Sequence, residues 1–343
     1  MKHKNATLKD VAALVGVSNA TVSRVLNDSA YVSRDLSKRV KEAVEELGYN
    51  QNIIAKSLKT NSTLTIAFIT ADISNPYMIT VAKAIEDLIH AENYHLLVCS
   101  TQGDPKRELE HLKLQMGRNI DGLVINTTGC NSEYVAEISN RIPVILIHRN
   151  CNVPEFRGDL VDTDNEEGVY ALTKNLISFG HRRIFVIKGD KHTSNNFMRF
   201  TGFCKAMAEI GIYVNDAYPY QYDGKFSEKC GIMAIDHLSS LATKPTAVLG
   251  LNNTMTIGAL KGLAAHNISV PDSISIAGYN GIDNRDLFAV RPTIHFVDPV
   301  EVGFAAGKAL LERLKRNDVP NREFVLKGHM VCGNAVGVPA DYS

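Results

Sequence analysis

The sequence predicts two parts of different fold class: an all-α head, and an α/β core made of two lobes that each hold a doubly wound parallel sheet. Three observations support this prediction. Helical patterns fill the first sixty residues, and from Leu64 onward strand-like and helix-like patterns alternate regularly. This alternation forms two runs of similar length, near 64–160 and 161–290. A chain of 343 residues is long enough to bury a core in each part.

The head is basic although the whole chain has no net charge. Residues 1–61 hold ten Lys and Arg against six Asp and Glu, and the remainder holds 27 against 31. A basic module joined to an acidic body is typical of a protein that binds a polyanion. No apolar signal-peptide core precedes position 8, and no segment reaches the ~18 consecutive apolar residues of a membrane span. We therefore expect a cytoplasmic protein that does not enter the membrane.

The six cysteines are scattered along the chain and none forms a Cys-x-x-Cys pair. We therefore expect reduced, buried thiols, no metal site and no cofactor. The sequence also lacks G-x-G-x-x-G, a P-loop, G-x-S-x-G and H-E-x-x-H. Because nucleotide cradles and hydrolytic sites depend on such motifs, we do not expect an enzyme.

The head shows three helical patterns with identifiable caps. They are "TLKDVAALVG" with Thr7 as N-cap, "SNATVSRVLN" with Ser18, and "SRDLSKRVKEAVEELGY" with Ser33 and a stop at Gly48. Only "VGV" separates the first two, which predicts a tight turn. Helix, short glycine-containing turn, helix is the arrangement that places a second helix in the DNA major groove. A generic three-helix bundle is the alternative.

The segment "TLKDVAALVGVSNATVSRVLN" resembles, position by position, the N-terminal signature of the lac repressor (LacI/GalR) family of bacterial transcription regulators. The resemblance implies a helix-turn-helix DNA-binding domain in which Asn19, Ala20 and Arg24 read base edges. It also implies residues that hold the DNA backbone or flank the site: Thr7, Ser18, Thr21, Ser23, Asn27, Tyr31 and Ser33.

The next segment, "YNQNIIAKSLKTNSTL", is similar to the hinge helix of that family. The resemblance implies that Asn52 caps this helix and Ala55 faces the DNA groove. It further implies that Leu58 wedges between base pairs in the minor groove with Lys59 beside it. The family usually has Pro where this chain has Gln51, so we expect a more disordered free hinge.

The core pattern places polar loops after buried strands. Strands are predicted at "LTIAFIT", "HLLVCST", "DGLVIN" and "PVILIH", then at "RRIFVIKG", "PYQYD", "TAVLGL" and "SISIAGY". The clusters "DISNPY", "HRN", "NN" and "YNGIDN" follow four of these strands. Since ligands of open α/β sheets lie at the carboxyl ends of strands, two facing lobes predict a cleft for a small polar ligand.

This region also resembles the effector-binding core of the family, which shares its fold with periplasmic sugar-binding proteins. The implied domains are the head 1–49, the hinge 50–62 and the core 63–343. Three crossings between lobes, near 161–163, 290–293 and 318–324, imply an N-lobe of 63–160 plus 292–319 and a C-lobe of 161–291 plus 320–343.

The resemblance implies that Arg199 clamps hydroxyls or a carboxylate and that Phe226 stacks on a sugar face. The full set of implied effector-binding residues is Asn75, Tyr77, His148, Arg149, Arg199, Phe226, Asn252, Asn280 and Asp298. The family usually has Asp at the positions of His148, Asn253 and Asn280. Because carboxylates only accept hydrogen bonds whereas amides also donate, we expect a ligand rich in acceptors, such as an acidic or phosphorylated sugar.

The sequence therefore predicts a ligand-responsive, DNA-binding transcriptional regulator. We expect a repressor of a sugar-utilisation operon that binds a pseudopalindromic operator as a homodimer, because the last residues carry no heptad extension. A protein co-repressor of the phosphocarrier type, used by some relatives, stays open. The alternative is a solute-binding protein of a sugar transport system, which would need a signal sequence and would have no use for the head.

Overall fold

The computed structural model describes residues 6–26, 31–49 and 62–339. The chain divides into two compact units, Met1–Thr63 and Leu64–Ser343. Of the predicted hinge, only its last residue falls within this description. The predicted DNA contacts Asn27, Asn52, Ala55, Leu58 and Lys59 lie outside the described residues.

The described residues of the first unit form three helices: α1 (Leu8–Val15), α2 (Asn19–Leu26) and α3 (Arg34–Glu46). The predicted caps are confirmed, since Thr7 and Asp10 form a capping box at α1 and Ser33 accepts a bond from the first turn of α3. Gly16 makes the turn between α1 and α2 with a φ of 73°. Small valine and alanine side chains from all three helices form the core, so α2 buries one face only.

The second unit contains twelve strands and eight helices within the described residues. The strands are β1 (Thr65–Thr70), β2 (His95–Ser100), β3 (Gly122–Ile125), β4 (Val144–Ile147), β5 (Asp159–Thr163), β6 (Ile184–Lys188), β7 (Gln221–Asp223), β8 (Ala247–Gly250), β9 (Ser275–Tyr279), β10 (Thr293–Phe296), β11 (Arg322–Leu326) and β12 (His329–Val331). The helices are α4 (Pro76–His90), α5 (Pro105–Gly117), α6 (Ser132–Ser139), α7 (Asn165–Ser178), α8 (Ser194–Ala208), α9 (Glu228–Ser240), α10 (Asn253–Ala265) and α11 (Pro299–Lys315).

The strands form two six-stranded sheets with the same order of corresponding strands. The N-lobe sheet runs β11-β5-β4-β3-β1-β2 and the C-lobe sheet runs β12-β10-β9-β8-β6-β7. The pairs are parallel except that β12 joins β10 antiparallel. The central strands are buried and apolar, as expected for sheets covered by helices on both faces. The predicted α/β class with two doubly wound lobes is confirmed.

The predicted crossing points are wrong by a few residues each. Strands β5 and β11 belong to the N-lobe sheet and β10 belongs to the C-lobe sheet. The chain therefore crosses at 164, at 297–298 and at 327–328, not near 161–163, 290–293 and 318–324. The lobe boundaries at 160, 291 and 319 move accordingly. The error arises because β5 ("DLVDT") carries two carboxylates and does not read as a buried strand.

Buried charges explain how Asp159 sits inside β5. Arg313 of α11 donates to Asp159 from Nη2 at 2.6 Å and from Nε at 2.8 Å. Arg322 of β11 donates from Nη2 at 2.7 Å. Burial raises the pKa of Asp159, but the bonds from the two arginines outweigh it and hold that pKa below its usual range. This ion cluster ties α11, β5 and β11 together.

The cysteines differ in part from expectation. Cys151 and Cys230 are buried, whereas Cys130 and Cys332 are exposed in loops that follow strands. All six thiols are free. No helix in the described part of the chain is long and apolar enough to cross a membrane.

Candidate functional site

The outer face of α2 carries the predicted base-reading side chains. Val22 and Val25 are buried in the core of the head, whereas Asn19, Ala20 and Arg24 are exposed. The remaining described candidates are exposed or half-buried: Thr7, Ser18, Thr21, Ser23, Tyr31 and Ser33. The helix thus has one packed face and one face of small polar groups.

Hydroxyl groups fix the start of this helix. Ser18 Oγ accepts a hydrogen bond from the Thr21 N–H at 3.1 Å and lies 2.9 Å from Thr21 Oγ1. Arg39 Nη2 donates to the carbonyl of Val15 at 2.9 Å, at the end of α1. The turn that presents α2 is therefore held from both sides.

In the second unit, eight of the nine predicted effector residues line one cavity between the lobes. They are Asn75, Tyr77, His148, Arg149, Arg199, Phe226, Asn252 and Asn280. This inner cavity has a volume of about 50 Å³ and adjoins an outer cavity of about 390 Å³. Asp298 does not line it, because its carboxylate caps α11 by accepting from Val300 N–H at 2.8 Å.

Two helices begin at the cavity wall. Asn75 caps α4, its Oδ1 accepting from Tyr77 N–H at 3.1 Å. Asn252 caps α10, its Oδ1 accepting from Met255 N–H at 2.9 Å. Helix N-termini carry partial positive charge, so both favour a ligand with negative or acceptor groups.

His148 and Asn280 occupy corresponding positions in the two lobes. His148 follows β4 with a φ of 59°, and Asn280 follows β9 with a φ of 72°. Each N–H donates at 2.9 Å to the next strand of its sheet, at Val161 and His295 respectively. Left-handed backbone is costly for residues other than glycine and is typical of binding sites.

Several buried polar atoms in this cavity have no hydrogen-bond partner among the described residues. They are Tyr77 Oη, both ring nitrogens of His148, Arg149 Nε, and the amide oxygens of Asn195 and Asn280. An unpaired buried polar group costs on the order of 1–3 kcal/mol. Such a concentration at one cavity indicates a site built for a polar ligand.

Arg149 is a buried cation that uses one of its three nitrogens in a hydrogen bond. Its Nη1 donates to the carbonyl of Thr127 at 2.9 Å, and its guanidinium carbon lies 5.2 Å from the centre of the Phe226 ring. Burial lowers the pKa of Arg149 to about 10, so the group stays charged at neutral pH. Its Nε is buried and has no hydrogen-bond partner among the described residues.

Arg199 is more firmly tied to protein atoms. Its Nε donates to Asn165 Oδ1 at 2.7 Å and its Nη1 to the carbonyl of Leu251 at 2.8 Å. The guanidinium also stacks 4.0 Å from the centre of the Tyr279 ring. Two of its three nitrogens are thus used, which limits the bidentate clamp predicted for this residue.

The nearby carboxylates already have partners. Glu108 accepts hydrogen bonds from the loop 127–131, and Asp162 Oδ1 accepts from the Thr163 N–H and from Asn165. Asp72, at the rim, accepts from Ser74. Glu108 offsets the charge of Arg149 and Asp162 that of Arg199, and the unpartnered atoms at the cavity belong to uncharged side chains and to Arg149.

His148 is neutral in this setting. Its Nδ1 lies 3.9 Å from Asp162 Oδ1, too far for a hydrogen bond. Burial lowers the pKa of His148 despite the opposing effect of Asp162. Burial likewise raises the pKa of Tyr77, so its phenol stays protonated.

The sequence missed Asn126 and Asn195, which also line the cavity. Asn126 ends the pattern "DGLVIN", so its place after a strand was a usable signal. Asn195 lies in the first turn of α8, which begins five residues before the predicted helix at Arg199. The start of this helix was not predicted because its first turn, "SNN", is polar and shows no apolar helical spacing.

Asp164 joins the three crossings between the lobes. Its Oδ1 lies 2.9 Å from His295 Nε2, and its Oδ2 accepts from Gly328 N–H at 3.1 Å. Its own N–H donates to the carbonyl of Leu326. The chain segments that must bend when the lobes move are therefore linked at one residue.

Comparison with known proteins matches both units. Residues 7–52 match the family described as "Bacterial regulatory proteins, lacI family", and residues 173–334 match a periplasmic binding protein-like domain. The HTH-type transcriptional repressor PurR of Vibrio campbellii is 30% identical over 331 residues, covering 96% of this chain and 98% of the relative. PurR of Actinobacillus pleuropneumoniae is 32% identical over 313 residues, covering 90% and 91%.

Solved structures share the fold. A LacI family regulator of Enterococcus faecium with bound ribose has a TM-score of 0.71 at 25% identity, covering 80% of this chain and 99% of that one. The lac repressor dimer bound to operator and an anti-inducer has a TM-score of 0.82 at 21% identity, covering 97% and 100%.

These relatives are transcriptional repressors and not enzymes, which agrees with the expectation from the sequence. The head supplies the exposed recognition face, and the core supplies the cavity between two lobes. The chain therefore belongs to the lacI family of bacterial regulatory proteins, and it is a ligand-responsive, DNA-binding transcriptional repressor.

Proposed function

We propose that this repressor controls a sugar-utilisation operon in the cytoplasm and binds a pseudopalindromic operator as a homodimer. Residues 1–49 act as the DNA-binding domain and 50–62 as the hinge helix. A small sugar-like effector binds between the lobes and changes operator affinity by favouring one lobe arrangement. The ribose-bound relative of similar fold supports a sugar-like ligand.

The effector is rich in hydrogen-bond acceptors, as a sugar acid or a sugar phosphate is. The observation that carries this proposal is the unpartnered Nε of the buried cation Arg149, beside Tyr77 Oη and the His148 ring, each of which has one hydrogen to donate. Among the described residues that line the inner cavity, only Asp72 is a carboxylate, and Ser74 occupies one of its oxygens. A neutral polyol can accept from these groups but lacks the negative charge that would pair with the buried guanidinium of Arg149.

Isothermal titration of the full chain with matched ligand pairs tests the ligand class. The pairs are glucose with glucuronate, glucose with glucose 6-phosphate, and ribose with ribose 5-phosphate. Purine bases form a fourth arm, because a planar heterocycle also offers acceptors and a face for Phe226. The acidic member of a pair is expected to bind at least tenfold tighter. Tight binding of neutral sugars alone would contradict the proposal.

Base reading by Asn19, Ala20 and Arg24 is supported by their exposure on α2. Exchanging Asn19 and Ala20 is expected to change which operator is preferred, since amide and methyl contact different base edges. The matched variant Thr21→Ala should weaken all operators alike. Selection from a randomised DNA pool measures both, and an unchanged preference after the exchange would show that other residues read the bases.

A gel shift on the DNA upstream of the gene tests operator binding itself. Salt titration is included because phosphate contacts make affinity fall steeply with ionic strength. We expect a shift at low salt that weakens as salt rises. No shift at low salt would contradict the proposal.

A further inference from the structure

Two asparagines connect the lobes directly across the cavity. Asn75 stands at the start of α4 in the N-lobe, and Asn253 is the first residue of α10 in the C-lobe. Asn253 Nδ2 donates to Asn75 Oδ1 at 3.0 Å, and Asn75 Nδ2 donates to Asn253 Oδ1 at 3.4 Å. Each amide is therefore both donor and acceptor to the other.

The geometry of this pair is fixed by the helices that carry it. Asn75 Oδ1 also caps α4 through Tyr77 N–H, so its amide plane is set and Nδ2 points toward Asn253. Asn253 is 3% exposed, next to the cap Asn252. Hydrogen bonds in such a shielded place compete little with water. The pair thus links two helix starts that face each other.

Other contacts hold the opposite rim of the cleft together. The N–H of Asn150 in the N-lobe donates to Ser194 Oγ at the start of α8 in the C-lobe, at 2.8 Å. Gly129 packs so closely on the loop 190–193 that a Cβ atom would stand 2.6 Å from the carbonyl oxygen of His192. The amide pair and this rim therefore fasten the two sides of the cavity.

We propose that Asn75 and Asn253 form an interlobe latch that sets the balance between open and closed lobes by protein contacts alone. Both hydrogen bonds join protein atoms, so closure does not depend on the ligand at this point. The latch fixes how much of the effector's binding energy is needed for closure, and hence how strongly the effector moves operator affinity. These are positioning residues for the ligand response.

The chemistry of the pair requires an amide at one of the two positions at least. A carboxylate at either position keeps one of the two hydrogen bonds, because the remaining amide still donates to it. Carboxylates at both positions lose both donors and repel each other at neutral pH. Asp at 75 also preserves the cap of α4, since it can accept from Tyr77 N–H.

The test measures the distance between the lobes in the full chain without added ligand. Non-natural residues that carry spin labels replace Lys113 of α5 and Lys229 of α9, which are both exposed. Because the labels are attached to these residues, the six cysteines stay unchanged. Labelled chains are diluted with unlabelled chain to suppress distances between subunits. Wild type and the single variants Asn75→Asp and Asn253→Asp are expected to give mainly the short distance.

The double variant Asn75→Asp/Asn253→Asp is expected to raise the open fraction at least tenfold over wild type. Asn140→Asp, which makes the same change on the N-lobe surface, serves as the matched control and should leave the distances unchanged. Circular dichroism confirms that each variant is folded. A folded double variant with the wild-type distances, or an Asn140→Asp variant that opens equally, would overturn the latch. Because no ligand is involved, this result is independent of the effector class proposed above.

Discussion

The two lobes share one strand order but differ in how they face the ligand cavity. The N-lobe wall presents Arg149 and His148 with unpartnered nitrogens. The C-lobe wall presents Arg199, whose Nε and Nη1 are bound to Asn165 and Leu251. The same fold is thus used in two ways: the N-lobe leaves nitrogens of Arg149 and His148 unpartnered, whereas the C-lobe ties Arg199 to protein atoms and leaves the amide oxygens of Asn195 and Asn280 unpartnered.

The lobes also differ at the sheet edge nearest the crossings. In the N-lobe, β11 is parallel to β5 and both are fixed by the charged cluster around Asp159. In the C-lobe, β12 is antiparallel to β10, where the ring of His295 stacks on Tyr279 at 5.4 Å. The N-lobe edge therefore depends on a buried cluster of two arginines and a carboxylate, whereas the C-lobe strand β10 packs through stacked rings.

Replacing Asp159 by Asn should have the largest effect on stability. Arg313 is fully buried and would lose its counter-charge, which costs about 3–5 kcal/mol. Urea unfolding measures the loss. Glu312→Gln, which removes a half-exposed partner of Arg322, should cost less than about 1 kcal/mol. Equal losses in the two variants would mean that the N-lobe edge does not depend on its buried pair.

The same residue gives a pH dependence with a defined sign. The pKa of Asp159 is lower in the folded chain than its usual value near 3.9. Its stabilising contribution is therefore present above that value and is lost as pH falls through the lower, folded pKa. Wild type and Asp159→Asn should converge in stability only in strong acid. Convergence near pH 6 would contradict this assignment.

Arg199→Lys and Arg149→Lys compare the two walls directly. The first variant loses two hydrogen bonds from a buried cation and is expected to cost about 2–3 kcal/mol of stability. The second loses one such bond and should cost about half as much. Thermal and urea unfolding rank the two. The reverse order would show that Arg149, and not Arg199, is the structural cation.

Ligand affinity should rank Arg199→Lys and Arg149→Lys in the opposite order to stability, with the larger loss in Arg149→Lys. Loss of the free Nε in Arg149→Lys should weaken the acidic member of the ligand pairs about tenfold, which is ~1.4 kcal/mol, and leave the neutral member unchanged. Titration calorimetry gives both values. An equal loss for acid and neutral ligand would place the ligand's acceptor groups elsewhere.

His148→Asn should produce the smallest change, visible in the pH dependence. Burial lowers the pKa of His148, so the unfolded chain binds more protons as pH falls below about 6.5 and the folded state loses stability there. Removing the imidazole should reduce this loss between pH 7 and 5.5. A steeper loss in the variant would mean that His148 gains stability on protonation.

The sequence predicted the elements whose local signals agree with their surroundings. Helices α1 to α3 were predicted because caps and apolar spacing coincide, and the central strands because they are continuous apolar runs. Strand β5 was missed because Asp159 is buried by Arg313 and Arg322, which lie more than 150 residues away in the chain. The pairing of the Asp159 charge is a long-range effect that the local sequence pattern of β5 does not show.

The polar loops after strands predicted a cleft and the family resemblance implied the individual lining residues, but the partners within the cavity were not predicted. The capping of α11 by Asp298 and the pairing of Asn75 with Asn253 depend on how the lobes meet. The latter residues are 178 positions apart. That Arg199 makes two hydrogen bonds to protein atoms and Arg149 only one likewise depends on the positions of backbone carbonyls in both lobes, which the sequence does not give.

The most direct test of the account measures operator affinity with and without ligand. Fluorescence anisotropy would follow the full chain on its upstream DNA, with glucuronate, glucose 6-phosphate or ribose 5-phosphate at saturation. We expect at least one of them to change operator affinity about fivefold or more in wild type. We also expect Arg149→Lys to bind the operator normally without ligand and to need about tenfold more ligand for the same response. An operator affinity that none of these ligands changes, or an Arg149→Lys variant that responds at the wild-type ligand concentrations, would contradict the account.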